Sequence, residues 1–210
     1  MNKNFLLAIF FILILTGCSR TIPNLNERKA NAFSLVNSNL QKQDVKQKTI
    51  YTENFNIFTF QTNLNKCKNI KVFIEGDGLA WVTRTIISKD PTPIKPTSLK
   101  LMLKDANKCK IYMARPCQYT NSKLCNKKYW TSHRFSSKII KSYQEALNST
   151  KTKYKNTSFS LLGYSGGGAI ATILSAKRDD IKKLITIAGN LNTKAWSNYH
   201  NISALTGSLN

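Results

Sequence analysis

"LLGYSGGGAI", residues 161–170, is an apolar run that delivers a serine into a cluster of glycines and continues as a helix-like run. Gly163-Tyr164-Ser165-Gly166-Gly167 satisfies G-x-S-x-G in the setting that gives the pattern meaning, after a predicted strand ("SFSLLG") and before a predicted helix ("AIATILSAK"). A serine in so tight a turn is strained, and side chains two residues to either side would collide with the adjoining strand and helix, so glycines belong there. The strain keeps the hydroxyl exposed, and the positive end of the following helix points at a developing oxyanion. Ser165 is therefore the candidate nucleophile and the Gly166 N–H a candidate oxyanion donor. The competing reading is a glycine-rich turn that only lets helix and strand pack closely. A phosphate-binding loop fits badly, because no Lys-Ser/Thr pair follows the glycines.

Around this turn the chain alternates. "IKVFIEG" (70–76) predicts a strand, Leu99, Met102, Leu103 and Ala106 a helix, "KIYMARP" (110–116) a strand, and Ile139, Ile140, Tyr143 and Leu147 a second helix. "KKLITIAG" (182–189) is the strand after the turn. Strands alternating with amphipathic helices imply crossover units and a parallel sheet covered on both faces, so the class is α/β. Nearer the start, "KTIYTENFNIFTFQ" reads as two strands parted at Glu53 and Asn54, and Ala30, Phe33 and Val36 predict a short helix near 27–39. A second oxyanion donor should follow an earlier strand. "VFIEGDGLAW" ends its strand in Gly76-Asp77-Gly78, where missing side chains let amides approach a ligand, and this places the second N–H at Asp77 or Gly78. A plain βα turn is the competing reading.

The 210 residues can bury one substantial core, and one domain is expected over 27–210. The first residues stand apart: Lys3 precedes an apolar run over 5–15, followed by "LTGC". Eleven apolar residues are few for crossing a bilayer, and the segment resembles a bacterial lipoprotein signal peptide, residues 1–17, cut before Cys18. Cys18 would then be acylated, with 18–26 as lipidated tether, and at about 0.8 kcal/mol per buried methylene several acyl chains hold a protein on a membrane. Membrane lipid is thus an expected partner and the cell envelope the expected location. Ser19, where an inner-membrane lipoprotein would favour Asp, tilts this toward the outer membrane. An ordinary secretory signal or an N-terminal anchor is the alternative. Cys67, Cys109, Cys117 and Cys125 remain, an even number that permits two disulfides in three connectivities in an oxidising compartment. No Cys-x-x-Cys spacing points to a metal, and no organic cofactor is indicated. The net charge of +22 comes from scattered lysines without a clustered arm or an aromatic stacking platform, so it reads as a solvated surface and not as a nucleic-acid site.

"FIEGDGLAW", "DPTP", "ARPCQY", "YWTSHRFS", "GYSGGGA", "AGNL" and "GSLN", in this order, resemble a family of bacterial, often lipid-anchored proteins with the α/β-hydrolase fold and no assigned substrate. The resemblance covers about residues 28–210. It implies a mostly parallel α/β-hydrolase-like sheet with flanking helices, Ser165 as nucleophile and a hydrolytic ancestry. It also implies that the strands beginning after Cys67 and Cys109 are parallel neighbours, which favours pairing Cys67 with Cys109 and Cys117 with Cys125. In that fold an acid and a histidine follow the serine on loops after later strands. Here one strand follows Ser165, and the two histidines, His133 and His200, stand where the pattern does not place a base. His133 lies in a polar stretch that reads as surface, and Asp179 and Asp180 fall at the wrong end of the sheet. The expectation is a fold lacking its last strands, with no catalytic acid or histidine of its own. A second polypeptide would then supply the missing part, or the protein would be a non-enzymatic envelope lipoprotein or a degenerate fragment.

Overall fold

Parallel strands buried on both faces need helices on both sides, and the apolar pattern of this chain provides them. The computed structural model describes residues 21–39 and 44–209; the signal segment and Cys18 lie outside them. In chain order the elements are α1 (Leu25–Asn37), β1 (Lys46–Ile50), β2 (Ile57–Gln61), β3 (Asn69–Ile74), α2 (Thr97–Lys104), β4 (Lys110–Met113), a 3-10 turn (Lys127–Trp130), α3 (Ser137–Tyr154), β5 (Ser158–Tyr164), α4 (Gly166–Ala176), β6 (Ile181–Ile187) and α5 (Thr193–Tyr199). The described sheet has the order β1-β2-β4-β3-β5-β6. β1, β2 and β4 pair antiparallel; β4, β3, β5 and β6 run parallel.

Period-2 alternation sorts the strand residues to two cores. Val72, Ile74, Ile111, Met113 and Leu161 face one side with Ile139, Tyr143 and Leu147 of α3 and Ile170 and Leu174 of α4. Phe58, Phe60, Phe73, Tyr112 and Leu162 face the other with Ala32 and Val36 of α1 and Leu99 and Met102 of α2. β6 differs. It pairs only with β5 among the described strands, and Lys182, Lys183, Leu184 and Ile187 are exposed.

The expected strands and helices all form, with shifted bounds and two corrections. α1 starts at Leu25 because Asn24 and Glu27 build a reciprocal capping box. Its buried face is Arg28, Ala32 and Val36; of the expected Ala30, Phe33 and Val36 only Val36 is buried, because the Arg28 guanidinium reaches the Asp90 and Thr92 carbonyls and turns that face inward. Ala106 lies past α2, since Asp105 turns extended and its carboxylate takes the Lys71 ammonium. The disulfides are Cys67–Cys109 and Cys117–Cys125, as the resemblance implied, with Cα atoms 5.8 and 5.7 Å apart.

Candidate active site

Ser165 sits between β5 and α4 with φ 51° and ψ −121°, a conformation side chains rarely adopt. Its N–H donates to the Ile187 carbonyl at 2.9 Å, and its carbonyl accepts from Gly168 N at 2.9 Å and Asn190 N at 3.2 Å. Glycine is required on both sides. A Cβ at Gly163 would overlap the Gly167 carbonyl, and one at Gly167 would overlap the Ile74 and Glu75 carbonyls of β3 and its exit. The turn thus stands at the carboxyl ends of the strands, with the first amides of α4 behind the serine.

The loop after β3 lies against this turn. A Cβ at Gly76 would stand 3.4 Å from Ser165 Cβ, and the Asp77 carboxylate fills the space beside Gly166 where a side chain would go. Gly78, with φ +67°, packs instead against the Pro91 carbonyl and the Gln118 amide. Of the two residues proposed for the second donor, Asp77 is the one beside Gly166. Gln118 fastens the loop, its Nε2 donating to the Gly76 carbonyl at 3.0 Å.

The Asp77 carboxylate is held by two guanidiniums. Arg115 Nη1 donates to Oδ1 at 2.8 Å and Arg134 Nη1 to Oδ2 at 3.0 Å, while Arg115 Nη2 donates to the Arg134 carbonyl. The arginine side chains are 5% exposed and the aspartate 16%. Both guanidiniums lie over the Phe135 ring, and Arg134 also lies over Trp196, 4.6 Å from its centroid. A bare carboxylate here would oppose negative charge building on a substrate; two arginines reverse the sign and leave a net positive charge beside Gly166. Glu75, one residue after β3, accepts from Gly76 N at 2.9 Å and Ser98 N at 3.1 Å. It thereby caps α2, whose own N-cap, Pro96, offers no side-chain bond. Burial pushes its carboxyl up to about 7 against the pull of those two amide bonds.

No base among the described residues reaches the serine. Among the described residues Ser165 Oγ makes no hydrogen bond. His133 is half-buried, not a free surface residue: its Nδ1 is 2.8 Å from Ser132 Oγ, and its ring packs on Gly207 and edge-on to Tyr129. His200 is exposed after α5, packed on Trp196 and Tyr199. Asp180 is tied to Lys151 and Arg178 at the start of β6, the end opposite Ser165. Burial works to raise its carboxyl, and the bonds from Arg178 and Lys151 outweigh that and hold it low. Asn190, just after β6, is 3% exposed, and neither of its side-chain polar atoms has a partner among the described residues. Sequence reasoning gave Asp77 a role only through its amide and missed Arg115, Gln118, Arg134 and Glu75. The signal was present in "ARPCQY", "YWTSHRFS" and "FIEGDG", which hold all four. Among the described residues no three His, Cys, Asp or Glu side chains gather as a metal site would require.

No protein-family profile matches the chain, and no curated protein matches it. Solved structures do. An esterase of Pyrococcus furiosus superposes with a TM-score of 0.53 at 14% identity, over 87% of this chain and 60% of its own. A candidate lipase of Acinetobacter baumannii gives a TM-score of 0.51 at 10% identity, over 87% and 55%. The chain therefore spans 55% to 60% of the length of these structures. At such identities the likeness is one of fold: the described chain carries an α/β-hydrolase-like, mostly parallel sheet with helices on both faces.

Proposed function

We propose that this chain is the nucleophile-bearing part of a serine hydrolase acting on an ester or other acyl substrate. One observation carries the reading: a non-glycine residue, Ser165, is held at φ 51° between a parallel strand and a helix, with overlap forbidding side chains at Gly163 and Gly167. Ser165 Oγ attacks the acyl carbon and its proton passes to a base; the N–H groups of Gly166 and Asp77 hold the oxyanion. Collapse of the tetrahedral species breaks the bond to the leaving oxygen, which takes the proton, and water then releases the acyl group by the same route. Acyl transfer of this kind requires neither metal nor organic cofactor. A serine hydroxyl without an imidazole in reach is a poor nucleophile, so the base comes from outside the described residues. In our reading a second polypeptide brings it, seated along the open side of β6. The protein is held in the envelope by acylated Cys18; among the described residues no helix is long and apolar enough to cross a membrane.

A fluorophosphonate probe applied to intact cells that express the chain tests this. Labelling at Ser165, lost in Ser165→Ala, is the expected result. A folded chain that stays unlabelled overturns it and favours a non-enzymatic envelope lipoprotein, the reading that the unpartnered Ser165 hydroxyl supports. The anchor has its own test: Cys18→Ala should leave the precursor uncleaved and free of acyl chains, and normal processing of that variant would refute it.

A further inference from the structure

Eleven large apolar side chains are exposed among the described residues, and five of them, Trp81, Val82, Ile86, Tyr199 and Ile202, fall in two short segments that face each other. The first segment folds on itself through a bridge between Trp81 and Ile87 and a bond from Val82 N to the Ile86 carbonyl. The second is the end of α5 and the chain just beyond it. Between them lies a cleft of about 950 Å³, walled by Trp81, Ile87, Trp196 and Leu205.

The charge on this cleft has one sign. Arg84 and Arg134 line it, and among the described residues no aspartate or glutamate does. Arg84 is exposed and makes no ion pair or hydrogen bond among the described residues. Arg134 is 4% exposed, and its Nε is buried without a partner among the described residues. Arg134 also ties the cleft to the nucleophile, because its Nη1 holds the Asp77 carboxylate that abuts Gly166. An apolar cavity with a few convergent polar groups is the ordinary form of a small-molecule site, and here those groups are cationic. Apolar walls, the unpaired Arg84 and the net positive charge that Arg115 and Arg134 leave around Asp77 together fit a ligand that is long, apolar and negatively charged at one end.

We propose that this cleft binds one molecule of an anionic amphiphile, its chain against Trp81, Ile87 and Trp196 and its negative group on Arg84 and Arg134, and that esters of such molecules are the substrates of Ser165. The second half rests on the nucleophile reading above; the first does not. Dodecyl phosphate, kept monomeric below its micelle concentration, is titrated into the full chain while tryptophan emission is followed. Saturable one-to-one binding is expected, about tenfold or more tighter than for neutral dodecyl maltoside, the worth of one charge-assisted contact. Arg84→Gln should erase that preference, and Trp81→Ala should weaken both ligands. Ser165→Ala should bind like the parent, so an unlabelled serine with intact binding would remove the hydrolase reading and leave the cleft. Equal affinity for the two detergents, indifference to Arg84→Gln, or binding to phosphatidylglycerol vesicles with none to the monomer would each overturn the proposal.

Discussion

Ser165 spends conformational energy to stand where it does. With φ 51° and ψ −121° it occupies a region in which glycine is at ease and a Cβ is not, at about 1–3 kcal/mol. Ser165→Ala removes the hydroxyl and keeps the strain; Ser165→Gly removes both. Urea denaturation should therefore find Ser165→Gly more stable than Ser165→Ala by about 1 kcal/mol, and an order reversed would mean that the turn is relaxed. Glu75 makes a second demand. Its carboxyl holds a proton to about pH 7 in the folded chain, whereas the unfolded chain releases it near the ordinary value of 4.5. Between these values the folded state binds more protons than the unfolded one, so stability falls as pH rises. The contribution is whole below pH 4.5 and gone above about 7, amounting to about 3 kcal/mol at 1.36 kcal/mol per unit. The phenols of Tyr112 and Tyr119 near it are raised by burial and stay neutral throughout. Denaturation midpoints of the parent should thus decline against those of Glu75→Gln across this window, and parallel pH profiles would show that the buried carboxylate carries no such penalty.

Elements are stapled as well as packed. The Cys67–Cys109 bridge spans 42 positions and joins the starts of β3 and β4, whereas Cys117–Cys125 spans 8 within the loop that follows β4. In the chain-entropy account, opening the longer loop loses about 4 kcal/mol and the shorter about 2.5 kcal/mol. Paired Cys→Ala variants compared by chemical denaturation should keep that order; the short loop proving the costlier would place its contribution in the native contacts around Arg115 and Gln118. The same elements show what a sequence displays. Strand–helix alternation and the serine turn were legible because each rests on local spacing: period two in "IKVFI", helical spacing in Ile139–Tyr143–Leu147, glycines two residues from Ser165. The inner face of α1 was not, since Arg28 is drawn inward by carbonyls 62 and 64 residues away. Nor was the end of α2, where Asp105 answers to Lys71. The clamp of Asp77 by Arg115 and Arg134 joins residues 38 and 57 positions apart, and in a chain so rich in cations such arginines read as surface until the fold brings them together.

For the molecule as a whole, 32 cations against 10 acids set two tendencies in opposition. Asp77, Asp90, Asp105 and Asp180 are all engaged in partly or wholly buried ion pairs, which leaves the surface strongly positive and self-repelling. β6 pulls the other way. Its outer edge has no described partner, and Leu184, Ile187 and, just past it, Leu191 are 39%, 37% and 58% exposed. A strand edge with free backbone groups pairs with another chain wherever repulsion permits, and Lys182 and Lys183 within β6 are the kind of residue that blunts such an edge. Repulsion between exposed charges reaches about 10 Å at 0.1 M salt and about 3 Å at 1 M. Self-association of the chain should accordingly rise with salt when followed by light scattering, and Leu184→Lys with Ile187→Lys should suppress it at every salt concentration. The paired variant should also lose binding to any polypeptide seated on β6 while the Cys67–Cys109 bridge stays formed. Association that ignores both salt and these substitutions would mean that β6 is not the adhesive surface, and the second chain proposed to bring the missing base would need another seat.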